Sequence, residues 1–150
     1  MSLEGLYQEI ILDHYKTPRN RGTIENPDIN ISESNPLCGD EICIHARLEG
    51  KALKDIRFEG KGCSISLASA SMMTEALKGR GEDHAHKYID GIKSMMRGEA
   101  KLTDEELGDM EALKGVADFP ARVKCALLPW TTLEKALHEK MSKQGKEANR

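Results

Sequence analysis

From Asp40 to Lys78 the chain runs through two stretches of strand period and then changes to a helix, and this switch restricts the available folds more than any other feature. Ile42, Ile44, Ala46 and Leu48 alternate with Glu41, Cys43, His45 and Arg47, the period of a strand with one buried face. Glu49-Gly50-Lys51 supplies a turn. Leu53 to Glu59, with Ile56 and Phe58 on one side, reads as a second strand, which makes a β-hairpin the economical arrangement. Gly60-Lys61-Gly62 then breaks the strand, and Cys63 to Lys78 reads as a helix closed by Gly79. Its opening turns, Ser64 to Ser71, are almost wholly small side chains, which let a helix lie close against a sheet.

Helical spacing recurs on both sides of this unit. Leu3, Leu6, Tyr7, Ile10, Ile11 and His14 predict an amphipathic helix over about 3–16, ended before Pro18. Pro18, Asn20, Gly22, Asn26 and Pro27 mark a loop in which Arg19 and Arg21 read as solvated, followed by a short strand near Ile29 to Ile31. Tyr88, Ile89, Ile92, Met95 and Met96 predict a helix that Gly98 ends, with His84 and His86 expected at the surface. Thr103-Asp104-Glu105-Glu106 fits a capping box for a short helix to about Leu113. Pro120 suits the first turn of a last helix carrying Arg122, Lys124 and Cys125, and Pro129 predicts a kink or break near Leu128. The expected organisation is one domain over 1–141 and a polar tail over 142–150.

Composition narrows the functional classes. Hydrophobic residues at 39% and charged residues at 31% of 150 describe a globular chain. No apolar run approaches the roughly 20 residues of a membrane span. The first residues lack the basic, apolar and small-residue order of a secretory signal, so cytoplasmic residence is expected. In a reducing compartment four cysteines are metal ligands or reactive thiols rather than disulfide partners. A net charge of -3, with two Phe and one Trp, argues against nucleic acid.

The cysteines are placed for a metal. Cys38-Gly39-Asp40 sets a thiol and a carboxylate on either side of a residue that tolerates a sharp turn. Cys63 opens a helix, where unpaired N–H groups and the helix dipole favour a thiolate, and Cys125 lies in the opening turns of another. Three sulfurs and one oxygen complete a tetrahedral zinc set. Cys43 falls on the opposite strand face from Ile42 and Ile44 and is not expected to be a ligand. On the residues alone, a reactive cysteine–metal site and a structural zinc knot both remain open.

Asp13-His14-Tyr15, Pro18-Arg19-Asn20 with Gly22, Cys38-Gly39-Asp40, Gly60-Lys61-Gly62-Cys63-Ser64-Ile65-Ser66 and Arg122-Val123-Lys124-Cys125 together resemble the U-type iron–sulfur cluster assembly proteins, the IscU/NifU N-terminal family, and most closely its SufU branch. The resemblance runs from Leu6 to about Leu137. It implies an α+β fold, a small antiparallel sheet with helices packed on it and the metal site exposed at one end, and it implies Cys38, Asp40, Cys63 and Cys125 as metal ligands. In IscU-like scaffolds a His precedes the last cysteine, where this chain has Lys124, and the long interval from Cys63 to Cys125 matches the segment that marks SufU.

The resemblance implies a zinc-dependent acceptor of persulfide sulfur from a cysteine desulfurase of SufS type, with Cys38 as the acceptor and other iron–sulfur assembly proteins as further partners. The alternative within the family is a scaffold on which a [2Fe-2S] cluster is assembled and passed on.

Overall fold

The computed structural model describes residues 3–36 and 39–148. In chain order the elements are α1 (Leu3–Lys16), β1 (Ile29–Asn35), β2 (Asp40–Glu49), β3 (Ala52–Lys61), α2 (Ser64–Leu77), α3 (Glu82–Met96), α4 (Asp104–Leu107), a 3₁₀ segment (Gly108–Val116) and α5 (Pro120–Ala148). The strands form one antiparallel sheet in the order β1-β2-β3, with Ile44 opposite both Ile31 and Phe58. This is the α+β arrangement, a small antiparallel sheet with helices packed on it, that the family resemblance implies.

The apolar face of the hairpin makes the core. Ile42, Ile44, Ala46, Leu53, Ile56 and Phe58 are buried against Met72, Met73 and Leu77 of α2 and Trp130 and Leu133 of α5. Full burial of each large aliphatic or aromatic side chain contributes about 1.5–3 kcal/mol, so this layer fixes how α2 and α5 sit on the sheet. α1 lies against α2 on the side away from the strands.

The loop after α1 does more than the sequence suggests. Gly22 N–H donates to Phe58 O at 2.8 Å and Phe58 N–H donates to Asn20 O at 3.1 Å, so residues 20–22 pair with the outer edge of β3. A free strand edge invites pairing with other chains, and this loop covers part of it. Asn20 adopts φ 59°, a left-handed turn that asparagine tolerates. Arg19 and Arg21 are not simply solvated. Arg19 pairs with Asp13 at 2.8 Å and lies 3.6 Å from Glu75, while Arg21 donates to Gly60 O at 3.2 Å.

Three elements depart from expectation. β1 runs on through polar Ser32, Glu33 and Ser34, because backbone pairing with β2 holds an edge strand that carries little apolar pattern. In α3, whose first turn carries acidic Glu82 and Asp83 that complement the helix dipole, His84 stacks on Tyr88 with ring centroids 4.3 Å apart instead of lying free on the surface. α5 passes through Pro129 without a break. Proline offers no N–H to the carbonyl four residues back, yet nearby hydroxyls reinforce the disturbed turns. Ser69 donates to Ala126 O at 2.6 Å, and Thr132 donates to Leu128 O at 2.6 Å. Buried Trp130 anchors the same turn by donating Nε1–H to Ser69 Oγ at 3.0 Å. The helix assignment continues into the polar end as far as Ala148.

Candidate metal centre

Asp40, Cys63 and Cys125 converge at one end of the sheet, with a carboxylate oxygen and two sulfurs all within 4.8 Å of one another. Asp40 is the first residue of β2, and the alternation that buries Ile42 and Ile44 also turns its side chain inward, leaving it fully buried. Cys63 takes the N-cap position of α2 in extended conformation, φ -75° and ψ 163°. Cys125 is fully buried in the second turn of α5.

A hydrogen bond joins the first two. Cys63 N–H donates to Asp40 Oδ1 at 2.8 Å, and Cys63 Sγ lies 3.8 Å from Asp40 Oδ2. One carboxylate oxygen thus accepts the helix-capping N–H, while the other faces the thiol. Gly62 makes this approach possible: at φ 150° it sits where a Cβ would come 2.3 Å from Asp40 Oδ1 and 2.9 Å from Asp40 Cα. No side chain fits there. The Gly60-Lys61-Gly62 turn, read from the sequence as a strand breaker, is therefore also the space in which the carboxylate meets α2.

α5, which carries Cys125, is tied to α2 by the Trp130–Ser69–Ala126 bridge, one residue after Cys125. The small serines of α2 read from the sequence as packing residues. Ser66, Ser69 and Ser71 are fully buried, and each also makes specific hydrogen bonds. Their shared sequence signal is only that they are small, which does not identify the partners of Ser69 and Ser71 more than fifty positions away.

Cys43 is half-buried on the other face of the sheet, where its Sγ lies 3.6 Å from Asn30 Oδ1, and it takes no part in the cluster. Lys124, at the position before Cys125, is exposed. Gly39 adopts φ 71°, the left-handed turn expected between Cys38 and Asp40. Cys38 itself lies outside the described residues. Asp40, Cys63 and Cys125 provide thiolate and carboxylate donors in the combination zinc accepts, and their convergence fits such an ion.

A groove of about 820 Å³ opens beside the cluster, lined by Ile11 and Leu12 of α1, Ile65 of α2, Val116, Phe119 and Arg122. Ile65 lies two residues from Cys63 and Arg122 one turn before Cys125. Phe119 is 58% exposed.

Comparison with known proteins agrees with this geometry. The chain is 48% identical over 136 residues to the zinc-dependent sulfurtransferase SufU of Bacillus subtilis, covering 91% of this chain and 92% of that protein. It is 37% identical over 142 residues to the iron–sulfur cluster assembly scaffold protein IscU of Streptococcus pyogenes, covering 95% and 89%. Among solved structures, a candidate SUF-system cluster assembly scaffold from Fervidobacterium islandicum superposes with a TM-score of 0.82 at 36% identity, over 91% of this chain and 99% of the other. The family model for the NifU-like N-terminal domain matches residues 6–126, and the chain belongs to that family.

Proposed function

We propose that this protein is a zinc-dependent sulfurtransferase of iron–sulfur cluster assembly, which accepts persulfide sulfur from a cysteine desulfurase. The observation that carries the reading is the convergence of Asp40, Cys63 and Cys125 in a chain 48% identical to a protein of that name. Cys38 is the fourth ligand in this proposal. Chain connectivity keeps its Cα within about 7 Å of that of Asp40, close enough to complete the set. Bound zinc would keep the cysteines as thiolates, the nucleophilic form.

Asp40 holds the N-terminus of α2 through Cys63 N–H, and the Trp130–Ser69–Ala126 bridge holds α5, so Cys63 and Cys125 act as the anchored ligands. Cys38 is the acceptor. Its thiolate attacks the terminal sulfur of the desulfurase persulfide; the sulfur–sulfur bond of the donor breaks, the donor cysteine leaves as a thiolate, and a persulfide remains on Cys38. No external oxidant or reductant is consumed. The groove beside the cluster, with exposed Phe119 and Arg122, supports docking of a SufS-type desulfurase over the thiols.

The scaffold reading is favoured by the 37% identity to an IscU-named relative. Purification without oxygen followed by metal and sulfide analysis separates the two. A colourless zinc protein that accelerates a desulfurase and becomes persulfidated supports sulfur transfer. A coloured protein carrying iron and acid-labile sulfide overturns it in favour of the scaffold.

A further inference from the structure

We propose that His14, Glu75 and Asp109 form a second cation site, distinct from the cysteine centre and suited to a divalent first-row transition metal. One nitrogen and two carboxylate oxygens lie within 4.8 Å of one another. They come from α1, α2 and the 3₁₀ segment, so a bound ion would cross-link three elements.

The histidine is prepared for this. His14 is fully buried; its Nε2 lies 2.8 Å from Asp109 Oδ2 and its Nδ1 2.8 Å from Ser71 Oγ. A carboxylate only accepts, so in the neutral ring Nε2 carries the proton and Ser71, which accepts Arg19 N–H at 2.8 Å, donates its hydroxyl to Nδ1. An ion at Nε2 requires the other tautomer, with the proton on Nδ1. Ser71 Oγ then accepts from Nδ1–H as well as from Arg19, the outer partner that fixes the ring of a metal-bound histidine. The arrangement suits both states without moving the ring.

The carboxylates are accessible. Side chains of Glu75 and Asp109 are 51% and 49% exposed and line a cavity of about 320 Å³ between α2, α3 and the 3₁₀ segment, which leaves room for water ligands. Lys78 and Arg80 also line it, with Lys78 Nζ 3.5 Å from Asp55. Arg19 Nε, 3.6 Å from Glu75 Oε2, is the nearest competing cation; its stronger partner is Asp13 at 2.8 Å, which retains it when Glu75 turns to an ion. Metal–ligand bonds of about 2.0–2.1 Å set neighbouring donors roughly 3.3 Å apart, so closing the site takes only side-chain adjustment. The imidazole donor disfavours magnesium and calcium, which prefer all-oxygen sets, and the absence of sulfur separates this site from the cysteine centre.

The test is a cobalt(II) titration of the full chain already loaded with zinc. The expected result is one further cobalt per chain, with weak visible absorption and no thiolate-to-metal band, and a melting temperature that rises with cobalt. Glu75→Gln and Asp109→Asn, both at half-exposed positions, should each weaken this binding at least tenfold while melting like the wild type without added cobalt. No cobalt binding at millimolar concentration, or variants that bind as the wild type does, would overturn the proposal. A thiolate band would report the cysteine centre instead, so failure of either site is read separately.

Discussion

The backbone N–H of Cys63 donates to Asp40 Oδ1 at 2.8 Å, joining the start of β2 to the start of α2 through a fully buried carboxylate. Asp40 therefore has two tasks, capping a helix with one oxygen and facing the cysteine sulfur with the other. Substitution separates them. Asp40→Asn keeps an oxygen for the Cys63 N–H and, with metal removed from both, should melt close to the wild type, yet the loaded protein should lose zinc in competition with a chelator. Asp40→Ala should lose both, and with metal removed from each protein the lost hydrogen bond should cost about 1–3 kcal/mol toward the lower end, since this bond is only part-buried. Equal zinc affinity in all three proteins would remove Asp40 from the ligand set.

Gly62→Ala tests the space beside that carboxylate. At φ 150° the new Cβ would meet Asp40 Oδ1 at 2.3 Å and Asp40 Cα at 2.9 Å, and the backbone atom has nowhere to go. The expected outcome is a loss of about 1–3 kcal/mol in stability and weaker zinc binding, measured by melting and by metal content after dialysis. A variant with normal zinc would show that the turn can shift without moving the carboxylate.

Ser69→Ala removes the hydroxyl that bonds Ala126 O and leaves Trp130 Nε1–H, in a fully buried side chain, without its acceptor. A cost of about 2–3 kcal/mol follows. Because the bridge lies one residue after Cys125, cobalt substituted into the cysteine centre should also show a changed thiolate band. Loss of stability with an unaltered band would make the bridge purely structural.

Cys43→Ser should leave zinc content and sulfur transfer unchanged, as its side chain lies near Asn30 on the sheet face away from the cluster. Mass spectrometry of the metal-loaded protein reads this directly. Loss of one zinc per chain would mean that Cys43 substitutes for another ligand.

These residues differ in how visible they were. The hairpin and the outward turn of Cys43 follow from a period of two, which needs no knowledge of distant partners. Asp40 and Cys63 sit at element starts that glycines mark, so their roles could be read locally. The network around His14 could not. Its partners Ser71 and Asp109 stand 57 and 95 positions away, and on its own helix His14 fits the apolar stripe. At Pro129 local chemistry predicts a kink or a break; the helix runs on without a break, and a bond that helps secure α5 comes from Ser69, 57 positions from Ala126.

Which thiol receives sulfur is the most consequential prediction. Cys63 stands at the N-cap position of α2 and Cys125 is buried inside α5, so releasing either from a metal would disturb a helix packed in the core. Cys38 precedes Gly39, whose φ of 71° and open surroundings among the described residues allow the backbone to swing. It should therefore detach at the lowest cost. Cys38→Ala is expected to stay folded with weakened zinc and to accept no persulfide. Cys63→Ala and Cys125→Ala should lose zinc and melt at clearly lower temperature, because a structural zinc contributes on the order of 10 kcal/mol to folding in small zinc peptides. Each variant is incubated with a desulfurase and cysteine, then mapped by mass spectrometry under non-reducing conditions alongside thermal melts. A persulfide on Cys125 in the Cys38→Ala protein would reassign the acceptor and move the mechanism toward the scaffold branch of the family.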